Sequence, residues 1–252
     1  MNGAPDEPAG ADVTATEEPT AGVAGESVVL LHGLWRRASS MASLETALAD
    51  AGFQPVNMDY PSRQHTIGEL VAWLRTRLSS LPLDGGPVHF VTHSLGGILV
   101  RGALAADPPV PVGRIVMIAP PNRGAELVRH GELIGPLRRL FGRPAEELDP
   151  DSRTLATLGI PEAEIGIIAG TRQLHPLNPN SWFNRLMGNR AAHDGTVEVS
   201  STHLETERDF VTVDATHTLI CDDPEAIRQT VSFLRSGRFL AAETGRPDVS
   251  PG

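Results

Sequence analysis

The stretch PVHFVTHSLGGILVRGAL, residues 87–104, narrows the fold more than any other part of the chain. Val88, Phe90 and Val91 read as a buried strand, and Ile98, Leu99, Ala103 and Leu104 recur at helical spacing. Ser94 stands on the hinge between the two. So short a reversal forces its apex residue into a strained backbone, and the elements can approach only over small neighbours, which Gly96 and Gly97 provide. A plain Ser-Gly turn between a core strand and a core helix would carry the same apolar runs. The reading therefore turns on whether the chain supplies partners for a reactive serine.

The pattern is T-x-S-x-G, with Thr92 where the nucleophile elbow of α/β-hydrolases has the first glycine of G-x-S-x-G. A β-branched residue there crowds the turn. Elsewhere, short apolar runs alternate with amphipathic stretches. Strands are expected at 27–33, 54–60, 113–120, 163–170 and 209–215, and helices at about 40–51, 67–81 and 224–235. The last helix has Asp223 as N-cap, Pro224 at its first position and Gly237 beyond its end. This alternation predicts an α/β architecture, a mostly parallel sheet with helices on both faces.

A chain of 252 residues with 40% hydrophobic content fits one domain, placed at 27–238. Residues 1–26 and 239–252, rich in Ala, Gly, Pro and acidic side chains, lack the apolar surface to order themselves and are expected to be flexible. The segment at about 121–162 is too long for an ordinary connection; it reads as a crossover helix, as a small cap or lid, or as both.

A net charge of −10 argues against a nucleic-acid partner or an anionic membrane surface. All 21 basic side chains are arginine, so Schiff-base lysines, Ser-Lys dyads and P-loop lysines are excluded. Cys221, the only cysteine, allows no intrachain disulfide. Without an 18-residue apolar run or a basic, apolar leader, the expectation is a cytoplasmic protein with no transmembrane span.

A nucleophilic serine needs a base, an acid that orients the base, and donors aimed at the developing oxyanion. On this fold the order along the chain is serine, acid, histidine. Among the nine histidines only His217, in FVTVDATHTLI, comes just after the last expected strand, with His203 as the fallback. Of the carboxylates before it, Asp194 stands out in HDGTVEV, a turn followed by strand-like alternation, whereas Asp214 reads as closing a strand end. Leu95 and Leu34 are the expected oxyanion-hole amides, and His32 reads as a brace for the loop LHGLW. Trp182 and Phe183 are either core fillers or walls of an acyl pocket; with Trp35 they are the candidate substrate-binding residues. The pocket is expected to be apolar.

The series LLHGLW, DYPSR, VTHSLGG, APPNRG, DGTVEVSST and THTLI, in that order, resembles bacterial serine hydrolases of the α/β-hydrolase superfamily, in the lipase-like branch related to the PGAP1-type inositol deacylases. The resemblance spans about 27–236 and implies the α/β-hydrolase fold. It also implies a triad of Ser94, Asp194 and His217 that hydrolyses carboxylic esters of small molecules or lipids with no metal or cofactor. Acyl transfer, amide or thioester hydrolysis on the same triad, and a non-catalytic lipid-binding or interaction protein, are the competing expectations.

Overall fold

Strand β1 (Ser27–Leu31) divides its side chains between two cores: Val28 and Leu30 join one apolar cluster, Val29 and Leu31 the other. Successive side chains of a strand point to opposite faces, so a strand apolar at every position must be covered on both sides. The same holds for β3 (Val88–His93) and β5 (Ile165–Gly170), buried at every residue. With β2 (Gln54–Met58), β4 (Val112–Ile118) and β6 (Asp209–Val213) they form a six-stranded sheet in the order β2-β1-β3-β4-β5-β6, every pairing parallel. These statements concern residues 25–82, 85–125, 142–173 and 192–241, which the computed structural model describes.

Helices cover both faces. Leu44 and Leu48 of α1 (Ala42–Asp50) and Phe233 and Leu234 of α4 (Pro224–Ser236) pack in the cluster with Val28 and Leu30. Leu70, Leu74 and Leu78 of α2 (Ile67–Ser79) and Ile98 and Leu99 of α3 (Leu95–Leu104) pack in the one with Val29 and Leu31. A capping box sets the start of α2: Thr66 accepts from the Glu69 amide and Glu69 reaches back to the Thr66 amide. Asp223 caps α4 by accepting from the amides of Glu225 and Ala226, and Gly237 ends it at φ 72°. Arg101, buried in α3, donates to carbonyls of Asn122, Leu158 and Gly159, tying the helix to the chain ahead of β5.

The α/β architecture is the one expected, with strands a residue or two shorter than their apolar runs. The alternation in HDGTVEV differs: it yields one antiparallel bridge, His193 to Glu198, and then a helical turn at Val199–Thr202. Much of the expected cap lies at residues 126–141, outside the described residues, as do residues 1–24 and 242–252. Among the described residues no helix is long and apolar enough to cross a membrane.

Candidate active site

Ser94 follows β3 directly and precedes α3, with φ 50° and ψ −117°. Its amide donates to the Ile118 carbonyl at 2.9 Å, so the neighbouring strand β4 holds the apex in place. A Cβ on Gly96 would lie 2.6 Å from the Leu31 carbonyl oxygen and 3.0 Å from that of His32, so only glycine lets α3 start this close to β1. Thr92, expected to crowd the turn, is fully buried, and its hydroxyl donates to the Val116 carbonyl at 3.4 Å.

The loop after β6 brings His217 to this apex. Its Nε2 lies 3.1 Å from Ser94 Oγ, and its Nδ1 lies 2.6 Å from Asp194 Oδ2. A carboxylate can only accept, so Nδ1 carries the proton and the Nε2 lone pair faces the serine hydroxyl. Asp194 is buried, and its other oxygen accepts from the amides of Thr196 at 3.0 Å and Val197 at 2.8 Å. Its main-chain carbonyl accepts from the His217 amide at 2.9 Å, so one residue positions both the ring and the backbone of the histidine.

The loop after β1 closes the other side. A Cβ on Gly33 would come within 3.2 Å of Ser94 Cβ. His32 is buried under Tyr60, ring centroids 4.2 Å apart, and the Tyr60 hydroxyl donates to the His32 carbonyl at 2.6 Å. Burial pulls the His32 pKa down, against the opposing pull of Asp59 3.1 Å from Nε2. The neutral ring then donates from Nδ1 to the Gly33 carbonyl, 2.8 Å, and accepts at Nε2 from the Tyr60 amide, 3.3 Å. Among the described residues the amides of Leu34 and Leu95 donate to no backbone acceptor; Leu95 follows Ser94 directly, and Leu34 follows Gly33.

Two residues that chain order alone passed over also lie here. His93 is buried against His217 with both ring nitrogens unpaired among the described residues, and burial, His217 and Arg36 hold its pKa well below the ordinary histidine value. Arg36 donates from Nη2 to the carbonyl of Thr218, tying the loop after β1 to the residue that follows His217. Nothing local in the sequence signals a contact across 182 positions.

Other candidates are elsewhere. His203 stacks on Phe210 and bonds Glu207 at 2.6 Å. Asp214 is exposed and paired with Arg172 at 2.6 Å, which lowers its pKa. Trp35 lines a cleft of about 480 Å³ together with Arg36, Arg37, Tyr60, Ser62 and Arg63. Charged and polar side chains make up most of its lining; Trp182 and Phe183, candidate walls of an acyl pocket, lie outside the described residues. Among the described residues no cluster of three or more His, Cys, Asp or Glu side chains is arranged to hold a metal ion.

A family model described as the alpha/beta hydrolase family matches residues 28–246. No curated protein sequence matches. Among solved structures, the mature lipase of Bacillus licheniformis superposes with a TM-score of 0.70 at 16% identity, over 86% of this chain and 96% of that one. A metagenomic carboxyl esterase gives 0.67 at 20% identity, over 81% and 69%. A phospholipase from Legionella pneumophila gives 0.54 at 18% identity, over 71% and 45%. At these identities the structures speak for a shared fold.

Proposed function

This chain belongs to the alpha/beta hydrolase family, and from that premise we propose that it is a serine esterase or lipase that cleaves carboxylic esters of small molecules or lipids. The observation that carries the reading is the unbroken series Asp194 Oδ2 to His217 Nδ1, 2.6 Å, and His217 Nε2 to Ser94 Oγ, 3.1 Å. His217 takes the hydroxyl proton as Ser94 Oγ attacks the ester carbonyl. The oxygen that becomes negative meets the amides of Leu34 and Leu95, donors whose removal costs about 3 kcal/mol each in enzymes of this chemistry. The imidazolium, supported by Asp194, returns the proton to the departing alcohol. Water, deprotonated by the same His217, then attacks the acyl-enzyme and frees Ser94. The lipase and esterase neighbours support ester hydrolysis, and the motif series supports the narrower placement beside the PGAP1-type deacylases.

The test is hydrolysis of p-nitrophenyl esters of graded chain length by wild type and Ser94→Ala, with fluorophosphonate labelling of both. We expect turnover and labelling in wild type alone. Equal, slow hydrolysis by both proteins overturns the esterase reading. Labelling without ester turnover points to another acyl reaction on the same serine, and no labelling points to a binding protein on this fold.

A further inference from the structure

The cleft beside the loop after β1 has an unusual charge for this molecule. The chain as a whole carries −10, yet Arg36, Arg37 and Arg63 line one cavity in which, among the described residues, Asp59 is the one carboxylate. Asp59 already accepts from the Ala38 amide at 3.0 Å and sits 3.1 Å from His32 Nε2. None of the three guanidinium groups pairs with an acidic side chain among the described residues. Arg63 sits over Trp35, its Cζ 3.8 Å from the ring centroid, a cation–π contact that needs none of the guanidinium N–H groups as hydrogen-bond donors. Arg36 spends Nη2 on the Thr218 carbonyl, while its buried Nε has no acceptor among the described residues.

We propose that this cleft is a subsite for an anionic group of the substrate, a carboxylate or phosphate borne by the ester near its scissile bond. The proposal rests on the ester-hydrolase reading and names the substrate class for it. Position supports it: Trp35 is two residues from Gly33, about 7.6 Å of chain at most, and Gly33 packs against Ser94. On the other side, Arg36 holds the residue after His217. An oxyanion in the cleft would be met by planar forks that match carboxylate and phosphate geometry, within a short chain of the carbonyl under attack. An anionic ligand would offset the mutual repulsion of the three guanidinium groups, which pair with no acidic side chain among the described residues.

The test uses three esters with one leaving group: p-nitrophenyl butyrate, mono-p-nitrophenyl glutarate and p-nitrophenyl 4-phosphonobutanoate. They are compared on wild type, on Arg37→Gln, Arg63→Gln and the double variant, and on Arg77→Gln, which removes the same charge from an exposed position of α2. Wild type should favour at least one anionic ester. The anionic-to-neutral ratio of kcat/KM should fall about tenfold in the double variant, the scale of a lost charge-assisted hydrogen bond, mainly through KM, and should hold in Arg77→Gln. A fall confined to the glutarate identifies a carboxylate, and one confined to the phosphonate a phosphate. A ratio that stays put in the double variant while all three esters turn over overturns the subsite and leaves the esterase reading standing. If no ester turns over, calorimetric titration with glutarate and with glycerol phosphate decides: binding by wild type that weakens in the double variant supports the subsite, and equal or absent binding overturns it.

Discussion

The rings of His93 and His217 lie 4.8 Å apart, tilted by 45°, with His93 sealed beneath the elbow. Burial first, then the neighbouring His217, Arg36 and His32, disfavour a proton on His93. Its pKa in the folded protein is thus lower than its value near 6.5 when unfolded, so the unfolded chain binds the extra proton in acid. Stability from this source is present above about pH 6.5 and is lost as the pH falls below it toward the folded value. Thermal melts from pH 8 to 4.5 should show Tm steady at first and then falling, and His93→Asn should fall less steeply. His32 and His193, also depressed by burial, contribute with the same sign, so the slope should shrink without vanishing. An unchanged slope in the variant would assign the acid loss to other groups.

Gly96 and Gly68 make opposite predictions for the same substitution. At Gly96 a methyl group would meet two backbone oxygens, at 2.6 and 3.0 Å, which cannot swing aside. Gly96→Ala should cost about 2–3 kcal/mol, as overpacking does, and lower Tm by about 5–10 °C. At Gly68, exposed in the first turn of α2, nothing lies within 4 Å of the added carbon. Gly68→Ala should gain up to about 1 kcal/mol from helix propensity. Calorimetry of both variants checks the pair, and a loss at both positions would contradict the account of Gly68.

Much of the fold was legible because apolar periodicity reports burial directly. Val28 and Leu30 against Val29 and Leu31, or Leu70, Leu74 and Leu78 on one helix face, need only one face or two to be covered. The caps of α4 were readable for a similar reason: Asp223, Pro224 and Gly237 act within their own turn. The alternation after Asp194 misled because period two reports a strand only when a ladder partner exists. The amides of Thr196 and Val197 are instead spent on the Asp194 carboxylate. His93 adjoins Ser94 in the sequence, but its contact with the His217 ring, like that of Arg36 with the Thr218 carbonyl, was not legible because both exist only once β6 lies beyond β5 in the sheet.

Cys221 offers a clean probe of the packing behind the site, since no other thiol competes. It is buried, and burial pushes its pKa up to about 12. The thiolate is the reactive form, so the native protein should resist iodoacetamide at pH 8. In denaturant it should react at the rate of an ordinary thiol. Mass spectrometry of the alkylated protein reads this out, and fast labelling of the native protein would show that the region around Ile220 and Cys221 opens readily.

The acid of the proposed triad is the member most open to challenge by a single substitution, because two candidate aspartates, Asp194 and Asp214, precede the histidine in sequence. Asp194 touches the His217 ring at 2.6 Å, while Asp214 is exposed and engaged by Arg172. In Asp194→Asn the side-chain carbonyl can keep the amides of Thr196 and Val197 and so preserve the turn. The new amide would then donate toward His217 Nδ1, force the proton to Nε2 and turn the base's lone pair away from Ser94. We expect kcat to fall by about 10⁴-fold, the size of the effect when this tautomer is lost in serine hydrolases, with Tm close to wild type. Asp214→Asn removes only a solvent-exposed, salt-screened ion pair, and should leave kcat near its wild-type value. Steady-state kinetics on one p-nitrophenyl ester, with a melt for each variant, separates the two aspartates. A large loss at Asp214 with little at Asp194 would move the acid to the strand that carries the histidine.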